Sequence, residues 1–268
     1  MKLEREYINV LMIGDIIGEP GRKAIFLKLS ELIRNYKADF VVANGENAAG
    51  GFGITANIAH KLHSYGVDCI TSGNHIWRNK DVFNVINEDQ HLLRPLNYPN
   101  GTPGKGWTIL EKGGKSLAVV NLLGRVFMEP LECPFRAIRK ELNNIKKNTR
   151  NVVIDFHGEA TSEKMAMGWY LDGQVSAVVG THTHVQTADS RILPEGTAYI
   201  TDLGMTGPFD SVIGMNKEKA VKKFVTMMPT RFSVATDDVH INGVFISIDS
   251  ESGKATKIER INLFSNVP

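Results

Sequence analysis

Two carboxylates (Asp15, Glu46), two amides (Asn47, Asn74) and four histidines (His75, His157, His182, His184) stand in five short glycine-bearing segments. These are Gly14-Asp15, Asn44-Gly45-Glu46-Asn47, Ser72-Gly73-Asn74-His75, His157-Gly158 and Gly180-Thr181-His182-Thr183-His184. No thiolate is among them, and nitrogen and oxygen donors suit iron, manganese or nickel better than a structural zinc. So many ligand-type side chains exceed the needs of one ion. Two ions roughly 3.5–4 Å apart can clamp a phosphoryl group and hold a bridging hydroxide for in-line attack. Glu46, with two oxygens, is the natural bridge. Asp15 adds a second negative charge, His157, His182 and His184 add neutral nitrogen, Asn74 a neutral oxygen, and Asn47 could add another. Two divalent ions, two carboxylates and one hydroxide leave about +1, enough to attract a phosphodiester anion. His182 and His184 pose a geometric condition. Alternate residues of an extended chain point to opposite sides, so both reach one cluster only if the chain twists or they serve different ions.

The elements that must position these residues alternate between strand and helix. Each segment follows a short β-rich apolar run (Ile8–Ile13, Phe40–Ala43, Cys69–Thr71, Val152–Phe156 and Ser176–Val179), and such runs read as buried strands. In sheets with helices on their faces, ligands collect at the carboxyl ends of the strands. Helix 1 begins near Pro20 and carries Ile25, Phe26, Leu29, Leu32, Ile33 and Tyr36 at helical spacing. Helix 2 runs from an N-cap at Thr55 to Gly66. A third starts at Asn79 and buries Val82, Phe83 and Ile86, and another follows Pro134. Asn216 caps a helix with a Glu218–Lys222 pair. Leu117–Leu123 reads as a strand after a glycine turn, Val244–Ile248 and Thr256–Leu263 as a hairpin, and Pro95–Gly106 as a loop. Ligand-type residues on both sides of that loop make 1–268 one domain.

Composition narrows the classes. At 268 residues, 42% hydrophobic and 22% charged, the chain suits one soluble α/β domain. A net charge of +2 argues against a nucleic-acid stripe or an anionic-membrane surface, so nucleic acid enters only as substrate. Met1–Tyr7 is too charged for a signal peptide, and no apolar stretch approaches a membrane span. Cys69 and Cys133 read as reduced structural thiols, which places the protein in the cytoplasm. A homo-oligomer is left open.

The order of motifs resembles the calcineurin-like metallophosphoesterase superfamily, whose pattern runs Asp-x-His, Gly-Asp, Gly-Asn-His, a lone His and Gly-His-x-His. Gly73-Asn74-His75, His157 and His182-Thr183-His184 match it. Ile17 stands where the first motif has histidine, and Glu46-Asn47 where the bridging aspartate is usual. Those departures, with Gly14-Asp15-Ile16-Ile17-Gly18 and Asp202-Leu203-Gly204-Met205-Thr206-Gly207-Pro208, are similar to the YmdB-like branch of bacterial 2′,3′-cyclic-nucleotide phosphodiesterases. The resemblance implies a sandwich of two sheets flanked by helices, a four-layer αββα arrangement, with two iron or manganese ions at the strand ends. By carry-over, Asp15, Glu46 and His184 hold one ion, with Asn47 in the place left by Ile17. Glu46, Asn74, His157 and His182 hold the other, and His75 is the general acid for the leaving oxygen.

The readings that compete are a phosphomonoesterase, and a metal-bound regulatory protein with little turnover. A β-lactamase-like metallohydrolase is set aside, because Gln186-Thr187 stand where Asp-His is required. Gly50-Gly51-Phe52-Gly53 lacks the lysine ending of a P-loop and reads as a substrate loop or an ordinary flexible one. Met205–Gly214 lines the site by family likeness alone. His60 and His63 read as solvated or packed, His91 and His240 have no partner evident from spacing, and Trp77 reads as core rather than a base-stacking platform.

Overall fold

The computed structural model describes residues 6–266; Met1–Arg5, part of the segment read as too charged for a signal peptide, lie outside them. Two sheets face each other. The first has the order β2-β11-β12-β1-β3-β4, with β13 paired to the free side of β12. Its strands are β1 (Tyr7–Ile13), β2 (Asp15–Ile16), β3 (Phe40–Asn44), β4 (Cys69–Thr71), β11 (Met205–Pro208), β12 (Val239–Asp249) and β13 (Ala255–Phe264). The second has the order β5-β6-β7-β8-β10-β9. It contains β5 (Trp107–Lys112), β6 (Lys115–Leu123), β7 (Val152–His157), β8 (Ala177–Thr181), β9 (Arg191–Ile192) and β10 (Ala198–Ile200).

Period-two alternation explains the layers. Val10 and Met12 of β1, Phe40 and Val42 of β3, and Cys69 of β4 meet Leu117, Val119, Val153, Ala177 and Val179 between the sheets. The opposite residues of the same strands face helices. Leu11 and Ile13 pack on α1 (Gly18–Tyr36) and α2 (Ala56–Ser64). Ala118, Val120 and Ile154 pack on α3 (Pro134–Lys146) and α4 (Thr161–Tyr170). Strands buried on both faces are therefore apolar almost throughout, as parallel strands covered by helices must be. The result is the four-layer αββα sandwich expected. Each fully buried Leu, Ile or Phe contributes about 1.5–3 kcal/mol, so the core between the sheets and those beneath the helices together hold the strand ends in place.

The helix readings hold with local differences. Thr55 Oγ1 accepts from Ile58 N at 3.2 Å as the N-cap of α2, and Asn216 accepts from Lys219 N to open α5 (Lys217–Thr226). The third helix is a single 3-10 turn, Lys80–Asn84; Val82 and Ile86 are buried, but Phe83 is exposed and stacks on Trp77 at 5.3 Å. Phe26 likewise faces solvent on α1 and meets Tyr65 instead of the core. Glu218 and Lys222 form no ion pair among the described residues; the neighbouring Lys217 pairs with Asp210 at 2.6 Å. Trp77 packs against the core, as read. Pro95–Gly106 is a loop, clasped by the Arg94 guanidinium, which donates to the carbonyls of Pro95, Thr102 and Pro103. No helix among the described residues is long and apolar enough to cross a membrane.

Candidate metal centre

Strands β1, β3 and β4 run parallel in one sheet, and β6, β7, β8 and β10 run parallel in the other. Their carboxyl ends meet across the gap between the sheets. Asp15 follows β1, Glu46 follows β3, Asn74 follows β4, His157 ends β7, and His182 and His184 follow β8. Asp15, Glu46 and His157 are fully buried, while His75 and His182 stand partly open. The twist that the His182–His184 pair requires is present: both residues have positive φ, 102° and 66°, so the chain turns both rings inward after Thr181. Conformations of this kind cost of order 1–3 kcal/mol each and persist only where the surroundings over-determine them.

Those surroundings are identifiable. Lys164 of α4, almost completely buried, donates to Thr181 O at 3.0 Å and to Asp202 Oδ2 at 2.6 Å. Asp202 in turn accepts from Thr183 N at 3.1 Å and Gly204 N at 2.8 Å, and Asp15 Oδ2 accepts from His182 N at 3.2 Å. Glycine is needed at position 73, because a Cβ there would lie 2.2 Å from His157 Cδ2 and 2.3 Å from Glu46 Oε2.

Hydrogen bonds on the outer side of each ring decide which nitrogen faces the centre. Asp155 accepts from the hydroxyls of Thr71 and Thr181 at 2.5 and 2.6 Å, so Thr181 Oγ1 is left to accept from His157 Nδ1 at 2.8 Å. His157 therefore presents Nε2. His184 donates Nδ1–H to Ile213 O at 2.8 Å and also presents Nε2. His182 donates Nε2–H to Glu159 at 3.1 Å and presents Nδ1. Thr181 and Asp202 stand in motifs read from the sequence, but without a role of their own, and Lys164 and Glu159 are not read there at all. Asp155 carries a sequence signal that goes unused, a charge inside the apolar run Val152–Phe156.

Ligand-type atoms then converge at the centre. His157 Nε2 lies 3.1 Å from Glu46 Oε1 and 3.0 Å from His182 Nδ1, and one donor atom of each residue falls within 4.8 Å of the others. Asp15 Oδ1 is buried without a hydrogen-bond partner, 3.8 Å from His184 Nε2, and Asn74 Oδ1 is also buried without one. Unpaired buried acceptors cost about 1–3 kcal/mol each, more when charged. A cation at their centre removes that cost, so this donor set fits a metal pair. Burial pushes Asp15 up to about 6, against the pull of His184 and His157. Burial also opposes the Glu46 charge, but His157 and His75 outweigh it and hold that carboxyl well below the usual range. Glu46 and Asp15 raise His157 to about 9 despite its burial, whereas burial and neighbouring His157 push His182 down to about 3. Protons thus do the neutralising that bound ions would take over.

Asn47, buried, and His75, partly open, stand beside Glu46. Asn47 Nδ2 donates to Glu46 Oε1 and His184 Nε2, both at 3.1 Å, and its Oδ1 accepts from His75 Nδ1 at 2.7 Å. In this arrangement Asn47 turns its nitrogen to the centre; ligation through Oδ1 takes a half-turn of the amide that releases His75. Ile17 is buried against Gly207 and Gly214. A cavity of about 490 Å³ opens over Glu46, Asn47, His75, His182 and His184. Gly51 and Phe52 of the glycine loop, and Val212 and Ile213 of the 205–214 segment, line it as well. The remaining histidines lie elsewhere. His63 bonds Val67 O and Asp89, His240 bonds Asn262 and Asp238, and His91 Nδ1 meets Thr108 Oγ1 at 3.4 Å.

Residues 11–261 match the family described as YmdB-like protein. The chain is 52% identical over 254 residues to the 2′,3′-cyclic-nucleotide 2′-phosphodiesterase of Bacillus subtilis strain 168, covering 95% of this chain and 96% of that one. Among solved structures, a phosphatase from Mycoplasma pneumoniae superposes with a TM-score of 0.92 at 36% identity, covering 98% of this chain and 96% of that one. A hypothetical protein from Thermus thermophilus superposes with a TM-score of 0.89 at 44% identity, covering 96% of this chain and 100% of that one.

Proposed function

This chain belongs to the YmdB-like protein family, and from that membership we propose that it is a single-domain, metal-dependent phosphodiesterase acting on nucleoside 2′,3′-cyclic phosphates. The observation that carries the reading is the convergence of ligand atoms of Glu46, His157 and His182 within 4.8 Å of one another beneath an open cavity, together with Asp15 Oδ1 and Asn74 Oδ1, both buried without a hydrogen-bond partner. Glu46, Asn74, His157 and His182 would hold one divalent ion; Asp15, Glu46 and His184 would hold the second, with Asn47 at its edge. Iron or manganese suits these nitrogen and oxygen donors. Bound there, the ions supply charge for the phosphoryl oxygens and activate water.

The chain's own residues do the rest. Asn47 Oδ1 accepts from His75 Nδ1 and leaves Nε2 toward the cavity; Nε2 carries a proton to donate only in the imidazolium, which burial disfavours and the Glu46 carboxylate favours. Water adds to phosphorus, the bond to the 2′ oxygen breaks, and the departing alkoxide takes the His75 proton. The product is a 3′-monophosphate, and the water's proton returns the site to its starting state. Cys69 and Cys133 are both free thiols, which supports a cytoplasmic location.

The test is hydrolysis of adenosine 2′,3′-cyclic phosphate by protein stripped with chelator and then resupplied with manganese or ferrous ion. Adenosine 3′-monophosphate formed only after metal return, faster than any release of inorganic phosphate from matched monoesters, supports the reading. Faster monoester turnover makes the protein a phosphomonoesterase, and no turnover of either makes it a metal-bound binding protein.

A further inference from the structure

The cavity over the ligand cluster is two-faced. Its polar lining belongs to the cluster and to Glu159 and Thr183, and its apolar lining is a wall of Phe52, Val212, Ile213, Met215, Phe224 and Phe232. Phe224 of α5 is 73% exposed, Ile213 52% and Phe52 45%, an unusual concentration of open apolar surface at one spot. Gly50, Gly51 and Gly53 all have positive φ, the left-handed backbone that favours glycine, and this loop carries Phe52 outward. Phe52 then meets the His75 ring edge-on at 5.1 Å. A nucleoside whose diester rested on the cluster would have this apolar lining within the same cavity for its base. The volume suits a nucleotide-sized ligand, since ligand cavities span about 300–1,000 Å³.

Resting on the phosphodiesterase reading, we propose that Phe52 and Phe224, backed by Ile213 and Phe232, form a nucleobase subsite that holds the base by stacking and apolar contact. No side chain of that wall carries a donor or acceptor to read a base edge. Aromatic faces accept every base, so recognition is tolerant rather than specific. The subsite gives the enzyme a preference for nucleoside cyclic phosphates over the bare sugar diester, without choosing among adenine, guanine, cytosine and uracil.

The experiment compares the four nucleoside 2′,3′-cyclic phosphates with methyl ribofuranoside 2′,3′-cyclic phosphate, which has the diester but no base. With the full chain saturated in manganese, the abasic compound should show a KM about 10-fold above the nucleosides, as expected for loss of one stacked base. The four nucleosides should agree within about 5-fold, since stacking is sequence-tolerant. Phe52→Ala and Phe224→Ala should each shrink the gap between nucleosides and abasic compound, while Phe224→Trp should keep or widen it. Binding of adenosine to the same proteins by calorimetry should weaken in parallel. Equal KM for nucleosides and abasic compound in the wild type, with both turned over, overturns the subsite and leaves the phosphodiesterase standing. A gap that survives both alanine variants also overturns it. A wild type that hydrolyses none of the compounds removes the phosphodiesterase reading and the subsite with it.

Discussion

Replacing His75 with alanine separates proton donation from metal holding. The backbone N of residue 75 donates to Glu46 Oε2 at 3.1 Å, and that bond survives in an alanine. The imidazole's own bond, Nδ1 to Asn47 Oδ1 at 2.7 Å, is lost; a hydrogen bond of this type contributes about 0.5–1.5 kcal/mol to stability. His75→Ala should therefore fold, keep its metals and lose only modest stability. Catalysis should suffer far more. A positioned general acid contributes about 10²–10⁴-fold, or about 3–5 kcal/mol of barrier. A ribose alkoxide needs that proton, whereas an activated phenolate hardly does. The assay is kcat on adenosine 2′,3′-cyclic phosphate and on bis(p-nitrophenyl) phosphate, with metal content measured on the same samples. A fall of about 100-fold or more on the nucleotide should accompany a fall of less than about 10-fold on the phenolate diester. Equal losses on both would assign His75 to binding, and loss of metal would make it a ligand.

Two further perturbations follow from the supporting shell. Lys164→Met strips a buried Asp202 of its cation, so stability should fall by about 3–5 kcal/mol and metal affinity by about 10–100-fold as the His182–His184 turn loosens; denaturation and metal titration read both, and unchanged metal affinity would refute the bracing role. His63 contributes a pH signature, because Val67 O at 2.7 Å and Asp89 Oδ2 at 2.9 Å engage both ring nitrogens and so favour the imidazolium. Burial lowers the His63 pKa, but Asp89 and Val67 outweigh it and hold it above 6.5, while the histidine in turn holds Asp89 below its usual value despite burial. The stabilisation is present below pH 6.5, while Asp89 stays ionised, and fades as pH rises through the raised His63 value. His63→Gln should thus cost under about 1 kcal/mol near pH 6 and less at pH 8.5; a cost that grows with pH would contradict the pairing.

The ligand segments were legible because each obeys a local rule: a β-rich run stops at glycine, and a donor follows. Gly73 shows why the glycine is there, since any side chain would strike His157 and Glu46. What the sequence hid depends on long-range packing. Helix α4 went unread because Glu163 and Lys164 occupy buried positions and break its apolar period. Those same polar positions brace the site: Glu163 accepts from Arg125 N and Val126 N, and Lys164 holds Asp202. Strands β9, β10 and β11 are two to four residues long, too short for a periodic signal. Phe26 and Phe83 fit a helical spacing, yet each finds an aromatic partner at the surface instead of the core. The orientation of His182 and His184 rests on positive φ at two non-glycine residues, which no local sequence rule announces.

The most direct measurement is metal stoichiometry titrated against activity. Chelator-stripped protein is given manganese or ferrous ion in increments under anaerobic conditions, and bound metal and hydrolysis of adenosine 2′,3′-cyclic phosphate are read at each step. A centre bridged by Glu46 should bind two ions per chain, with the rate appearing as the second site fills, and Glu46→Gln should lower occupancy and rate together. Full activity at one ion per chain, or a Glu46→Gln protein with unchanged metal and rate, would contradict the two-metal centre.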